Sequence, residues 1–269
     1  MTPPEECRLI CGDAVEALAA LPPAQADLVI ADPPYNLGKD FGASQDRLSR
    51  EAYRDFTRAW LREAVRVLKP PGSLYIFMGV GFIARLQVML EEEFGLCCNG
   101  WIVWHYTQGM GRKRGFSPRH EDILHVVRGP DFTFDLDAVR VPQKYFRRRN
   151  NMAGANPGDV WQFSHVHYCS AEREPHPTQK PEALIERMVR ASSKPGDLVL
   201  DPFLGSGTTA RVAQALGRRW IGIELNPDYI AMAARRLAAP FAGFDSSDPR
   251  QDRTPRDLPA AARRASEPA

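Results

Sequence analysis

The chain of 269 residues is 43% hydrophobic and 25% charged, which is ordinary for a soluble globular protein. Its 35 basic and 33 acidic side chains leave a formal net charge of +2, so the total charge alone does not indicate nucleic-acid binding. We expect neither a membrane span nor a signal peptide, because no apolar run approaches roughly 20 residues and residues 1–6 lack basic and apolar regions.

The cysteines favour a reduced, cytoplasmic protein. There are five of them, an odd number, and none forms a Cys-x-x-Cys pair. This pattern favours free thiols over a disulfide framework or a zinc site. His165 and His167 could imitate a metal pair, but the sequence offers no third ligand, so we expect no metal.

Strands and helices alternate along the chain. Helical spacing of apolar residues, as in Phe56, Trp60 and Ala64, predicts helices that end at residues 21, 68, 94, 193, 216 and 239. Apolar runs predict strands at residues 7–11, 27–31, 73–78, 100–106, 121–128, 197–200 and 220–223. The alternation predicts a mostly parallel α/β sheet with helices on both faces. Only a loop separates strands 100–106 and 121–128, which indicates an antiparallel hairpin at the sheet edge.

The strand at residues 27–31 ends in Asp32-Pro33-Pro34-Tyr35. Two consecutive prolines stop a strand, so a stiff turn presents a carboxylate, prolyl carbonyls and a phenol at the strand tip. A planar base with an exocyclic amine suits this turn, because its NH2 can donate to the carboxylate and a carbonyl while its ring stacks on Tyr35. An ordinary proline-rich turn is the alternative interpretation.

A second strand tip reads Asp201-Pro-Phe-Leu-Gly-Ser-Gly207 and leads into a helix. Glycines there let the backbone approach a ligand, and the helix start offers free N–H groups. Asp201 would repel a pyrophosphate and better suits a cationic amino group. Glu224 ends the next strand, where an acid typically holds ribose hydroxyls, although a solvated acid is the alternative. A ligand with an amino-acid end and a ribose end is indicated, and S-adenosylmethionine fits both.

Together and in this order, the two turns resemble those of the beta-class amino-methyltransferases of DNA. These enzymes transfer a methyl group from S-adenosylmethionine to the exocyclic nitrogen of adenine or cytosine. Three further segments carry the resemblance: Trp101-Ile-Val-Trp104 with His120-Glu121, His176-Pro-Thr-Gln-Lys-Pro181, and Gly12-Asp13. The resemblance implies a doubly wound, mostly parallel seven-stranded sheet, a circularly permuted Rossmann-like methyltransferase fold with one antiparallel edge strand.

The resemblance also implies the site residues. Asp32, Pro33, Pro34 and Tyr35 would be catalytic. Asp201 would meet the amino group of the cofactor, Glu224 its ribose and Asp13 its adenine edge, while Lys180 is a candidate for its carboxylate or equally a surface lysine. The full predicted cofactor set is Asp13, Ala14, Asp32, Thr178, Lys180, Asp201, Phe203, Gly205, Ser206, Gly207, Thr208, Glu224 and Leu225.

Basic residues interleaved with aromatics suit contacts to DNA phosphates and bases, with a solvated charged face as the alternative. The predicted DNA-binding residues are Arg112, Lys113, Arg114, Lys144, Arg147, Arg148 and Arg149. The expected organisation is a catalytic part at residues 1–128, a target-recognition insert at 129–177, a cofactor-binding part at 178–239 and a disordered tail at 240–269.

We therefore expect a site-specific DNA methyltransferase acting on the N6 of a flipped-out or single-stranded adenine. In the family, Asp at the first position of the catalytic turn usually accompanies adenine. Methylation of cytosine N4, of an RNA base or of an amide, and an inactive DNA-binding relative, are the alternatives. The resemblance also implies candidate partners, which are DNA, a cognate restriction endonuclease and a second copy of the chain in a homodimer.

Overall fold

The computed structural model describes residues 7–42, 46–107, 109, 111–142, 154–241 and 243. Its strands are β1 Arg8–Cys11, β2 Ala26–Ala31, β3 Leu68–Met78, β4 Cys97–His105, β5 His120–Val127, β6 Val160–Gln162, β7 Leu198–Asp201 and β8 Arg219–Glu224. Its helices are α1 Ala14–Ala19, α2 Arg50–Val67, α3 Ile83–Glu92, α4 Leu136–Val139, α5 Glu182–Ser192, α6 Thr208–Ala215 and α7 Pro227–Ala238.

One open sheet joins these strands in the order β1-β8-β7-β2-β3-β5-β4-β6. All neighbours pair in parallel except β5, which runs antiparallel to both β3 and β4. The predicted α/β fold class is confirmed. Within the described residues, however, the sheet has eight strands and not seven, and its antiparallel strand lies inside the sheet and not at the edge.

The short strand β6 explains the first difference, and the second follows from the strand order, in which β4 lies outside β5. Strand β6 pairs in parallel with the end of β4, from Val103↔Val160 to His105↔Gln162, and so covers the edge that the hairpin was expected to form. A strand of three residues is too short to show an alternating pattern, so periodicity could not predict it.

Strand β3 also begins earlier than predicted, at Leu68 instead of residue 73. Ala26 of β2 pairs with Leu68, and the register shifts before Leu28 pairs with Ser73. The intervening prolines, Pro70 and Pro71, cannot donate to the ladder and are accommodated by this irregularity.

Both faces of the sheet are buried. In β2, Leu28 and Ile30 join one core cluster while Val29 and Ala31 join the other, as expected when successive side chains point to opposite faces. Helices α1 to α3 supply residues such as Trp60 to the second cluster, and α5 to α7 cover the opposite face. Ligands of such open α/β sheets bind at the carboxyl ends of the parallel strands. We call this end of the sheet its functional edge.

Helix starts follow from side-chain caps at α1, α2 and α7. Asp13, Ser49 and Asn226 each accept hydrogen bonds from backbone N–H groups of the first turn that would otherwise be unsatisfied. None of the helices in the described part of the chain has the length and apolarity to cross a membrane.

The predicted insert at residues 129–177 contains α4 and β6 in its described part. Its proposed role in target recognition stays a prediction. Most of the predicted tail at residues 240–269 lies outside the described residues.

Candidate active site

The two predicted turns lie on neighbouring strands. Strands β2 and β7 pair in parallel, with Leu28↔Val199 and Val29↔Leu200 in register. Asp201 ends β7, and Asp32 follows the last residue of β2. The carboxyl ends of parallel strands meet at one edge of the sheet, so these distant turns become neighbours.

A cavity of about 340 Å³ opens at this edge and joins the two turns. Its volume lies in the usual range for a small-molecule site. Most predicted catalytic and cofactor residues line it: Asp13, Ala14, Asp32, Pro33, Pro34, Tyr35, Thr178, Lys180, Asp201, Phe203, Gly205, Ser206, Thr208, Glu224 and Leu225.

Asp32 lies in a cluster of four polar side chains. The ammonium of Lys180 donates to Asp32 Oδ2 at 2.6 Å, and the Tyr35 hydroxyl lies 2.7 Å from Asp32 Oδ1. Glu121 Oε2 is 3.0 Å from the same hydroxyl and 3.5 Å from the Lys180 nitrogen. The Lys180 side chain is only 8% exposed, so the interpretation of Lys180 as a surface lysine was wrong.

Charge and burial act against each other in this cluster. Burial raises the pKa of the Asp32 carboxyl, and the nearby Lys180 ammonium opposes that rise. Burial lowers the pKa of Lys180, but the carboxylates of Asp32 and Glu121 outweigh it and leave that pKa raised. Burial and the two carboxylates hold the pKa of Tyr35 well above its usual value, so its phenol keeps its proton.

The two prolyl carbonyls of the turn have different environments. The Tyr53 hydroxyl of α2 donates to the Pro34 carbonyl at 2.8 Å. No hydrogen-bond donor among the described residues contacts the Pro33 carbonyl. Pro33 lines the cavity together with Asp32, and its carbonyl keeps its accepting capacity.

The glycine turn after β7 is held by Glu224 at the end of β8. Glu224 Oε2 accepts from the Gly205 N–H and Oε1 from the Asn226 N–H, both at 2.8 Å. Gly205 has φ +53°, and a Cβ there would lie 2.9 Å from His176 Nε2. Only glycine fits this position, because His176 packs directly on the turn.

Asp201 is buried at the floor of the same region. Burial raises its pKa to about 7, although the Thr209 side chain and the Phe203 N–H donate to it. The pKa of His176 is lowered to about 4 by burial and by the charge of Lys180, so its imidazole is neutral near pH 7. The cavity therefore offers one carboxyl that titrates near neutrality beside a neutral ring.

Some predicted residues are placed differently from expectation. Gly207 does not line the cavity: a Cβ there would lie 2.8 Å from Ala233 Cβ, because α6 and α7 approach closely at this point. Asp13 lines the cavity, but its Oδ1 caps α1 by accepting from Val15 N at 2.8 Å. The ammonium of Lys180 points to Asp32 and Glu121, and its predicted contact to a cofactor carboxylate stays untested.

The predicted DNA-binding residues are only partly described. Arg112, Lys113 and Arg114 are exposed on the loop between β4 and β5. Phe116 of the same loop is 99% exposed, an unusual state for a large apolar side chain. Lys144, Arg147, Arg148 and Arg149 lie outside the described residues.

The cavity residues that were missing from the predicted set include Tyr53, Glu121 and His176. Glu121 and His176 belong to segments on which the family resemblance rests, and this resemblance could have identified them as site residues. Because β5 is antiparallel, its first residues lie at the same edge as the last residues of β2 and β7, which brings Glu121 to Asp32. Tyr53 follows the apolar pattern of α2 and could not be told from a core residue.

A family model described as DNA methylase matches residues 26–235. The chain belongs to the N6/N4 DNA methylase family.

This methylase is 56% identical over 252 residues to the type II methyltransferase M.HpaI of Haemophilus parainfluenzae, covering 93% of this chain and 80% of the relative. It is 40% identical over 242 residues to the DNA adenine methyltransferase YhdJ of Escherichia coli K12, covering 85% and 82% respectively. The solved complex of M1.HpyAVI with S-adenosylmethionine is 25% identical, with a TM-score of 0.65 over 87% of this chain and all of that one.

Proposed function

We propose that this methylase transfers a methyl group from S-adenosylmethionine to the N6 of adenine in DNA. The observation that supports it best is a single cavity lined by both strand-tip turns, with Asp32 and Asp201 on neighbouring strands. Methyl transfer requires the amine and the cationic donor to be held together in one site, and a cavity shared by both turns can hold them.

Asp32 and the Pro33 carbonyl are the proposed acceptors for the amine of the target base. The amine nitrogen normally shares its lone pair with the ring. Two hydrogen bonds from its N–H groups favour a pyramidal and more nucleophilic nitrogen, and they stabilise the positive charge that develops on it. Lys180 supports this role, because its ammonium opposes protonation of buried Asp32. The Tyr35 ring is proposed to stack on the base.

The cofactor half of the cavity fits S-adenosylmethionine by the chemistry of its side chains. The bound cofactor supplies a methyl group on a cationic sulfur. Asp201 is proposed to face its ammonium, Glu224 its ribose and Asp13 its adenine edge, with Thr178, Ser206 and Thr208 as further polar lining. Gly205 has no side chain, so its backbone can approach the ligand closely.

Adenine is proposed over cytosine on two grounds. The relative YhdJ, 40% identical to this chain, is named a DNA adenine methyltransferase. The first residue of the catalytic turn is Asp32, which in the family accompanies adenine. M.HpaI is named a type II methyltransferase, which supports a place for this chain beside a restriction endonuclease.

The amine of a paired base is hidden inside the duplex, so the target must be flipped out or single-stranded to reach Asp32. The exposed loop with Arg112, Lys113 and Arg114 is proposed to contact DNA phosphates near the cavity. Its basic side chains are free of the core and can follow the backbone of a bound strand.

Nucleoside analysis tests the proposal directly. Purified protein is incubated with isotopically labelled cofactor and DNA from a methylation-deficient host, and the digested nucleosides are identified by mass spectrometry. We expect labelled N6-methyladenine at one recognition sequence. Labelled N4-methylcytosine would overturn the choice of base, and the absence of any labelled nucleoside would overturn the activity.

Variants at Asp32 test the proposed catalytic turn. Asp32→Asn and Asp32→Ala should each lower the single-turnover rate by at least about 100-fold, because the acceptor charge facing the amine is lost. Calorimetry should find cofactor affinity nearly unchanged in both variants. Methyl transfer at the wild-type rate by Asp32→Ala would exclude the role.

A further inference from the structure

Three oxygen atoms form a continuous chain beside the cavity. The Tyr35 hydroxyl lies 2.7 Å from Asp32 Oδ1 and 3.0 Å from Glu121 Oε2. A phenol carries one O–H and can donate to only one of the two carboxylates at a time. When both carboxylates are ionised, the three oxygen atoms make two contacts at hydrogen-bond distance, and only the phenolic proton is available for them. It is therefore one proton short.

Charged groups around these three oxygen atoms act on the two carboxylates. Lys180 lies against both carboxylates, at 2.6 Å from Asp32 Oδ2 and 3.5 Å from Glu121 Oε2, and its ammonium opposes the rise that burial causes in the pKa of Asp32. Ionisable groups from neighbouring elements also act on the chain electrostatically: Tyr53 on α2, Tyr106 after β4, His165 after β6 and Asp201 on β7. The Lys180 ammonium is the cation in direct contact.

Methylation of an exocyclic amine releases one proton per turnover. The nitrogen forms a bond to the methyl carbon, and one N–H bond breaks with its electron pair kept by nitrogen. The bond between the methyl carbon and sulfur breaks with its electrons left on sulfur. The number of protons released equals the number that the oxygen chain lacks.

We propose that Asp32, Tyr35 and Glu121 form a proton relay for this released proton, an inference that rests on the proposed methylation of an exocyclic amine. The proton passes to Asp32 Oδ1, which then donates to the Tyr35 hydroxyl. The phenolic proton moves in turn to Glu121 Oε2 and leaves from there to water. With the base seated on Asp32, the Glu121 end of the chain is the exit, and its side chain is 22% exposed.

Glu121 acts through Tyr35 and is a positioning residue. By accepting the phenolic proton it turns the Tyr35 lone pairs toward Asp32, so Asp32 Oδ1 is ready to receive a proton. A purely structural Glu121 would serve only as a second anion for Lys180. The longer of the two Lys180 distances belongs to Glu121, which leaves the contact to Tyr35 as its closest interaction in the cluster.

The variant Glu121→Gln tests the relay, because its amide oxygen can accept from Tyr35 but cannot hold a transferred proton. Single-turnover methyl transfer should slow by about 100-fold, the scale of general acid–base catalysis. The rate is also measured in mixtures of light and heavy water. A plot of the wild-type rate against the deuterium fraction of the solvent should be curved, because more than one proton moves. The variant should give a straight line. Glu92→Gln, an exposed residue at the end of α3, is the matched control and should behave as wild type.

Tyr35→Phe provides a second, independent break in the chain, since it keeps the ring and removes the hydroxyl. Because both residues serve one relay, the double variant should be no slower than the slower single variant. Effects that multiply, or a Glu121→Gln protein with the wild-type rate and isotope response, would overturn the relay. Either amine-bearing base releases a proton, so these outcomes are independent of whether the target is adenine or cytosine.

A measurement without cofactor or DNA completes the test. Infrared difference spectra follow the C=O band of the protonated Asp32 carboxyl as pH is lowered. Removing the second carboxylate should shift the appearance of this band to lower pH in Glu121→Gln, because the charge of Glu121 raises the pKa of Asp32. An unchanged midpoint would contradict the coupling of Asp32 to Glu121. Failure of the wild type to methylate any base would instead overturn the proposed function.

Discussion

The carboxyl of Asp201 has a higher pKa than a strand-end carboxyl in water would have. Its pKa of about 7, raised by burial from 3.8, means that the carboxyl changes charge within the physiological range. The protonated form adds stability to the empty protein at low pH, and this contribution is lost as pH rises through about 7. A cationic ligand reverses the preference, because it binds the ionised form.

We therefore expect cofactor affinity to rise with pH. Below pH 7 the dissociation constant for S-adenosylmethionine should increase about tenfold for each pH unit, as ionised Asp201 becomes scarce. Isothermal titration calorimetry between pH 5.5 and pH 8.5 measures this dependence.

Asp201→Asn is the matched control, since it keeps the shape of the side chain and cannot ionise. Its affinity should be flat over the same pH range and lower than wild type at pH 8 by about 1.5–3 kcal/mol, the worth of a hydrogen bond to a charged group. His176, with a pKa of about 4, does not titrate in this window. A wild-type affinity that does not change with pH would refute the assignment of Asp201.

At the residue scale, sequence reasoning identified the groups that follow a strand directly. Asp32, Tyr35 and Asp201 were predicted because prolines or glycines mark the ends of their strands. Glu121 was not assigned a role, since its contact to Asp32 depends on a strand direction that no local pattern encodes. The two roles considered for Lys180 both overlooked Asp32, which is 148 positions away along the chain.

At the scale of elements, Gly207 shows why the cofactor turn has two glycines. Gly205 makes room at the cavity, whereas Gly207 makes room between α6 and Ala233 of α7. The pattern of two glycines predicted a ligand contact for both, because a sequence motif does not distinguish close approach to a ligand from close approach of two helices.

Gly207→Ala should destabilise the protein more than an alanine at an equally strained but open position. The new methyl would meet Ala233 Cβ at 2.8 Å in addition to occupying φ +85°. Gly217→Ala is the control, because Gly217 has φ +73° and nothing within 4 Å of its added Cβ. Urea unfolding should show about 1–3 kcal/mol more loss for Gly207→Ala, the usual cost of overpacking. Equal losses would mean that the helices separate freely at this contact.

The elements themselves were predictable where periodicity was long. Helices α2, α5 and α7 were expected close to their observed positions, because each presents several turns of apolar residues to the sheet. Strand β6 and helix α4 were missed, since three or four residues cannot display a period.

At the scale of the whole molecule, a net charge of +2 conceals a local concentration of basic residues on the β4–β5 loop. Arg112, Lys113 and Arg114 are all exposed there, so replacing them with alanine should weaken DNA binding without affecting the fold. The slope of log K against log salt should fall by about 1 for each side chain that contacts a phosphate. Fluorescence anisotropy with labelled DNA at several salt concentrations measures it.

A control with the same change in net charge uses Arg54, Arg62 and Arg85, which are exposed on α2 and α3. Its salt slope should match wild type, because these three side chains do not line the cavity. A control that lowers the slope as much as the loop variant would show that only total charge matters.

The pairing of β1 with β8 sets an order on folding during synthesis. Arg8 is aligned with Ile221, and β8 is the only strand that β1 contacts in the described sheet. Strand β1 therefore leaves the ribosome long before its partner and stays unpaired until β8 has been translated. Contacts between such distant segments close slowly, so we expect the docking of β1 onto β8 to be a late event in the maturation of this protein.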